Sequence, residues 1–139
     1  MDISIKDAIA ELKSVRLSLP KAQELPDDAL IRAYELELGL TFLDDYKVFL
    51  KEASDSIFNG KDALRLTASR DGPGELATAL SEARTQGVPK LWLPICEDNG
   101  NYYCLLGDGV VRYWSHDGSS DESWPNLATW IKQVWIEAE

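Results

Sequence analysis

The strongest constraint on the fold is a change of hydrophobic period near residue 90. Up to Gln86 the apolar residues recur at helical spacing, except between Ser54 and Pro73, where the pattern fades. Beyond Gln86 they fall in three short strand-like runs separated by turn residues. Asn99-Gly100 favours a hairpin because these residues tolerate the positive φ angles of tight turns, and Gly107-Asp108-Gly109 indicates another tight turn. The pattern predicts an antiparallel meander with strands at residues 91–96, 102–106 and 110–115.

Helical patterns lie on both sides of this meander. Helices are predicted at residues 5–16, from Pro26 to residue 38, after Thr41, at residues 75–86, and from Pro125 onward. Ser4 with Asp7, and Thr41 with Asp44, resemble N-terminal caps. The last helix has one apolar face, formed by Leu127, Trp130, Ile131, Val134 and Trp135. The predicted class is α+β: N-terminal helices packed on an antiparallel β-meander with a closing C-terminal helix, in a single domain.

Helix ends and one further strand are also predicted. Gly39 and Gly87 are good helix terminators, since glycine tolerates the left-handed conformation found there. The short run at residues 64–66 is a candidate edge strand.

Charge excludes one class of partner. The 139 residues include 24 acidic and 14 basic residues, a net charge of −10. A nucleic-acid partner is not expected, because binding a phosphate backbone requires clustered Lys and Arg. The acidity suits a basic protein partner or serves solubility alone. With no long apolar run and no signal peptide at the N-terminus, no membrane association is expected and the predicted location is the cytoplasm.

The two cysteines leave two alternatives open. Cys96 and Cys104 lie on the two arms of one predicted hairpin. A loop centred on Gly100 would place them opposite each other, whereas a two-residue turn would shift them by one position. The favoured interpretation is a pair of reduced structural thiols.

The usual signatures of catalysis and metal binding are weak. His116 and Asp117 are adjacent on an extended chain, so they do not readily form a base with its orienting carboxylate. Asp117, Ser119 and Asp121 resemble the start of a calcium loop, but Glu122 occupies the position of its glycine. The acidic turns could also hold a pair of acid–base carboxylates, although turn carboxylates are mostly solvated. The sequence therefore predicts no catalytic residue, no metal site and no cofactor.

Tryptophan provides candidate interface residues. Most of the five tryptophans are expected in the core, where a helix and a sheet bury their apolar faces together. Trp114 and Trp124 flank a polar loop, so either is a candidate anchor for a partner, because tryptophan is enriched in binding hot spots.

A series of short segments follows one another in a distinctive order. They are Leu25-Pro26, the helix with Tyr34 and Glu35 ending in Gly39, residues 42–50, Asn59-Gly60, Leu93-Pro94-Ile95, the turn at residues 97–100, Tyr102-Tyr103-Cys104-Leu105, Gly109-Val110-Val111 and His116-Asp117. Their order resembles the Smi/Knr-type branch of the SUKH superfamily. The resemblance covers roughly residues 25 to 135, and Phe42-Leu43 stands where the family usually has Leu-Pro.

The resemblance implies a non-enzymatic protein-binding module. Many bacterial members look like immunity proteins that neutralise polymorphic or contact-dependent toxins, and the acidity suits a basic toxin domain. It also implies a division into an N-terminal helix and linker, residues 1–24, and a Smi/Knr-type domain, residues 25–139. The oligomeric state does not follow from the sequence.

A partner-binding rim is predicted at the acidic turns that flank the meander. The residues expected in this rim are Glu97, Asp98, Trp114, His116, Asp117, Asp121 and Glu122. Three function classes are ranked in this order: an immunity protein, a general regulatory or interaction domain without a toxin partner, and a small enzyme that uses turn carboxylates or a thiol.

Overall fold

The computed structural model describes residues 4–15, 25–54, 57–58, 61–68, 75–89, 92–98, 101–115 and 122–137. Within these ranges the helices are α1 Ile5–Val15, α2 Asp28–Leu38, α3 Asp44–Ala53, α4 Leu76–Gln86 and α5 Leu127–Trp130, which continues as a π-helical segment, Ile131–Ile136. The strands are β1 Ile57–Phe58, β2 Lys61–Ala63, β3 Leu93–Asp98, β4 Asn101–Leu105, β5 Val111–Trp114 and β6 Ser123–Trp124.

The strands form one antiparallel sheet in which neighbours in sequence are neighbours in space, in the order β1-β2-β3-β4-β5-β6. The α+β class, the central meander and the closing C-terminal helix are therefore confirmed. Asp98 pairs with Asn101, which leaves a two-residue connection between β3 and β4. The predicted tight turn at residues 107–109 is present, and Gly109 has a φ of 93°.

The predicted edge strand at residues 64–66 is wrong. The strand is β2, Lys61–Ala63, and it lies between β1 and β3 rather than at an edge. The Leu64 N–H donates to the Ile95 carbonyl just after the last paired residue of β2. The next residue of β3 along this pairing is Pro94, which has no N–H to donate. The register of β3 against β4 also shifts between Pro94 and Cys96.

Most predicted helix ends are confirmed. The Ser4 hydroxyl accepts the Asp7 N–H at 3.1 Å, and the N-cap Asp27 accepts the Leu30 N–H at 2.8 Å. Gly39 and Gly87 end α2 and α4 in the left-handed conformation, with φ of 68° and 110°.

Three predicted helix starts are corrected. Thr41 does not cap α3, whose N-cap is Leu43 without a side-chain hydrogen bond. The preceding loop is instead held by Glu35, whose carboxylate accepts the Phe42 N–H at 2.8 Å. Pro26 and Pro125 each lie just before the N-caps of α2 and α5 rather than in the first turn.

One face of the sheet carries the main core. Tyr103 on β4 contacts Trp130 of α5, with ring centroids 5.2 Å apart, and Trp130 contacts Trp135 at 5.6 Å. Phe49 of α3 contacts Trp135 at 6.1 Å. Helix α1 buries Ala8, Ile9 and Leu12 in the same cluster. The predicted apolar face of the last helix is confirmed at Leu127, Trp130, Ile131 and Trp135, which are buried, and Val134 is half-buried.

The opposite face of the sheet is only partly covered. Helix α4 packs on β3. Ala83 and Val88 form a second buried cluster with Tyr102 and Cys104 of β4. The side chains that β5 contributes to this face are half-buried rather than buried.

Candidate functional site

A row of three paired residues crosses this partly covered face. Glu97 of β3 pairs with Tyr102 of β4, and Tyr102 pairs with Trp114 of β5. Residues paired across neighbouring strands project from the same face of a sheet, so the three side chains lie together. The rings of Tyr102 and Trp114 have centroids 6.0 Å apart.

An arginine and a second tryptophan lie beside this row. Arg112 is two residues before Trp114 and therefore projects from the same face. Its guanidinium carbon lies 5.2 Å from the centroid of the Trp92 ring, a cation–π contact. We call the surface formed by Trp92, Tyr102, Arg112 and Trp114 the aromatic face.

Negative charge lies next to the aromatic face. Burial raises the pKa of the Tyr102 hydroxyl, and the charges of Glu97 and Glu82 raise it further. Glu82 precedes Ala83 on α4, so this exposed carboxylate is carried to the sheet by the helix that covers β3. Within the described ranges neither Glu82 nor Glu97 forms an ion pair, so their charges are not compensated there.

The predicted rim is partly located by the structure. Glu97 is exposed and Trp114 is half-buried, and both lie on the same face. Asp98 ends β3. Glu122 is exposed, and its carbonyl accepts the Tyr113 N–H at 3.3 Å. His116, Asp117 and Asp121 lie outside the described residues.

Trp124, the other predicted anchor, lies on the opposite side of the sheet. It pairs with Val111, and its ring lies 5.7 Å from that of Tyr103 at the main core. Both tryptophans are half-buried, but Trp114 lies on the face that also carries Glu97 and Arg112, whereas Trp124 packs against the main core.

The residues missed in the sequence are Glu82, Trp92, Tyr102 and Arg112. Arg112 and Trp114 occupy alternate positions of one predicted strand, which is the signal that could have placed them on one face. The position of Glu82 had no such signal, because a helix pattern does not tell which sheet residues the helix will cover.

The two thiols project from opposite faces. Cys96 pairs with Tyr103, whereas Cys104 pairs with Pro94 and belongs to the second cluster. The pairing register thus shifts the cysteines by one position, and no disulfide joins them. The predicted Asn99-Gly100 turn itself lies outside the described residues. Burial raises the pKa of the Cys104 thiol to about 12. This thiol is therefore protonated at neutral pH and is a poor nucleophile.

Two buried carboxylates hold the fold together. Glu75 accepts hydrogen bonds from the Tyr34 hydroxyl at 2.7 Å and from the N–H groups of Ala77 and Thr78. Glu35 lies near the Lys47 ammonium, at 3.7 Å, in addition to its bond with Phe42. Because the carboxylate oxygens interact with groups of the chain itself, we assign Glu35 and Glu75 a structural role.

No other feature of the described ranges resembles a reactive centre. A shallow groove of about 410 Å³ between the end of α2 and the outer side of α4 is lined by Leu38, Ala77, Leu80, Ser81, Arg84 and Thr85, without a pair of acid–base groups. Nowhere in the described part of the chain do three or more metal-ligating side chains come together. None of the helices there has the length and hydropathy to cross a membrane.

Comparison with known proteins identifies a family. The family model SUKH_5, described as SMI1-KNR4 cell-wall, matches residues 5–136. A crystal structure of a protein from Pseudomonas syringae pv. tomato is similar, with a TM-score of 0.87 and 30% sequence identity. The match covers 95% of this chain and 98% of that one. A search of curated proteins gave no match.

Proposed function

Since this chain belongs to the SMI1-KNR4 family, we propose that it is a non-enzymatic immunity protein that binds and neutralises a toxin. The proposed partner is a basic domain of a polymorphic or contact-dependent toxin, and the proposed location is the bacterial cytoplasm. The predicted rim, including His116, Asp117 and Asp121, is kept as part of the proposed contact surface.

The observation that carries the proposal is the aromatic face together with Glu82 and Glu97, which form no ion pair within the described residues. Tryptophan, tyrosine and arginine are the residue types most enriched in binding hot spots, and three of these side chains are half-buried on one side of the sheet. Adjacent negative charge accelerates encounter with a basic partner. An acidic protein of net charge −10 therefore suits an inhibitor that must capture a basic toxin quickly.

The second candidate is a regulatory or interaction domain without a toxin partner. The family description, which names SMI1-KNR4 and the cell wall, favours this alternative. The same surface would then bind a protein of the host cell. A small enzyme has less support, because the buried thiol Cys104 and the buried carboxylate Glu75 are both in structural environments.

The test begins with the full chain as bait in a lysate of its own source, and the captured proteins are identified by mass spectrometry. Each captured protein is then expressed alone and together with this chain. We expect one basic protein to arrest growth when expressed alone and to be harmless when this chain is present. Captured partners that bind stoichiometrically but are never toxic would contradict the immunity function and support the regulatory one.

A further inference from the structure

We infer that the aromatic face receives an arginine side chain from a basic segment of the partner. The guanidinium stacks on the Trp114 ring and pairs with Glu82 and Glu97. The inference rests on the proposed function only in taking the partner to be a protein.

The elements that cover this face of the sheet leave Trp114 accessible. Helix α4 packs on β3, and its Ala83 belongs to the same buried cluster as Tyr102. Trp114, at the end of β5, contacts Tyr102 but is only half-buried. The indole is thus supported from one side by the protein and is available for contact from solvent.

Trp92, on the same face, already makes an arginine–indole contact within the chain. The Arg112 guanidinium lies over Trp92 at 5.2 Å, so that indole already has a cation. Trp114 has none among the described residues. A planar guanidinium stacks on an indole better than a strongly hydrated ammonium does, which favours arginine over lysine.

Charge selects a cationic side chain rather than an apolar one. Glu82 and Glu97 both act on the Tyr102 hydroxyl and have no ion-pair partner within the described residues. An apolar partner covering this face would desolvate both carboxylates without compensation, which is costly. An arginine supplies the charge and several N–H donors together.

The Tyr102 hydroxyl is a further acceptor on this face. The residue as a whole is 1% exposed, but its oxygen is not among the buried atoms that lack a partner, so the hydroxyl reaches the surface. Within the described part of the chain this side chain makes no hydrogen bond. A guanidinium that pairs with the two carboxylates can therefore also donate to this oxygen.

The test uses the full-length protein and a short peptide of alternating arginine and glycine. Binding is followed by NMR through the indole N–H signals of the five tryptophans, and the Trp114 signal is assigned with Trp114→Phe. We expect the peptide to shift the Trp114 signal most. A peptide with lysine in place of arginine should bind more weakly, and one with glutamine should leave the signals unchanged.

Charge variants separate this site from general attraction to an acidic protein. Glu82→Gln/Glu97→Gln should weaken peptide binding about fivefold to tenfold, as expected for the loss of two exposed ion pairs. The control Asp45→Asn/Glu52→Gln removes the same number of charges from exposed positions of α3, on the other side of the sheet. Binding to the control should change by less than about twofold. Thermal unfolding of both variants checks that the fold is intact.

Equal weakening by the two double variants, or signal shifts spread over tryptophans other than Trp114, would overturn the inference. Failure of this inference is distinguishable from failure of the proposed function. A toxin that is neutralised equally well by Glu82→Gln/Glu97→Gln and the native chain would refute this surface while the immunity function stands. Peptide binding at Trp114 without any toxic partner would support the surface and contradict the immunity function.

Discussion

The Tyr34 hydroxyl donates a 2.7 Å hydrogen bond to Oε2 of Glu75, and both side chains are buried. The same hydroxyl accepts the Thr67 N–H at 2.9 Å, so one tyrosine connects α2, the loop after β2 and the start of α4. We predict that Tyr34→Phe lowers the free energy of unfolding by about 1–3 kcal/mol, because it leaves a buried carboxylate with one donor fewer. Urea denaturation at neutral pH measures the loss. A change below about 0.5 kcal/mol would show that this contact is dispensable.

The Glu75 carboxylate should make stability depend on acidity. Burial alone would raise its pKa, but hydrogen bonds from Tyr34, Ala77 and Thr78 outweigh burial and hold the pKa below its usual value. A carboxyl group with a lowered folded-state pKa stabilises the fold above its unfolded-state pKa, and this contribution is lost as the pH falls through the folded-state pKa. The Glu75→Gln variant should therefore have a lower free energy of unfolding than the native protein at neutral pH. The difference in free energy of unfolding between the two proteins should become smaller as the pH is lowered. The exposed Glu52→Gln is the control, and a gap that does not narrow would contradict the prediction.

Helix α1 should contribute to the core through Leu12. The Leu12 side chain is fully buried, whereas Val15 on the same helix is 39% exposed. Leu12→Ala should cost about 2–5 kcal/mol, because it removes buried methyl groups and leaves a cavity. Val15→Ala should cost less than about 0.5 kcal/mol. Equal effects in chemical denaturation would mean that α1 is not an integral part of the folded unit.

The end of α4 should require glycine at residue 87. Gly87 has a φ of 110° and donates its N–H to carbonyls of the last turn. Gly87→Ala should lower stability by about 1 kcal/mol, because a side chain disfavours this conformation. Gly107→Ala is the matched control, since Gly107 lacks a positive φ and its added Cβ would meet no atom within 4 Å. Thermal unfolding compares the two, and a Gly87→Ala protein as stable as the control would refute the prediction.

The thiols should be unreactive in the folded protein. Cys96 and Cys104 are buried, and burial raises the pKa of Cys104 to about 12. Labelling with a thiol reagent at pH 8 should be slow in native buffer and complete within minutes in concentrated urea. Because the two side chains project from opposite faces of the sheet, mild oxidation should not join them. Rapid labelling of the native protein, or an intramolecular disulfide in a mass spectrum, would contradict this arrangement.

Predictions that depended on neighbouring residues in sequence succeeded most often. Ser4 caps α1, and Gly39 and Gly87 end their helices, because each needs only its own backbone conformation and the nearby N–H or carbonyl groups. The predicted cap at Thr41 failed for the opposite reason. Glu35, from the preceding helix, holds that loop by accepting the Phe42 N–H. The local sequence does not show whether Thr41 or Glu35 will bind the backbone at this helix start.

The candidate site was predicted only in part for the same reason. Glu97 and Trp114 were expected at a rim, and strand alternation does place them on one face. Glu82 reaches that face only because α4 packs on β3, and Tyr102 is buried in a cluster with Ala83 and Val88. These contacts depend on where a helix crosses the sheet, which is decided by the packing of the whole chain.

The sequence by itself determined the α+β class, the meander, the main helix ends and the acidity, since periodicity, turn residues and charge are local or additive properties. Only the tertiary structure decided that Cys96 and Cys104 point apart, that Glu75 is buried in contact with Tyr34, and that Trp114 remains half-buried next to Tyr102. Register and helix placement join residues that are distant in the chain. A shift of one residue in the register of a strand would exchange its two faces.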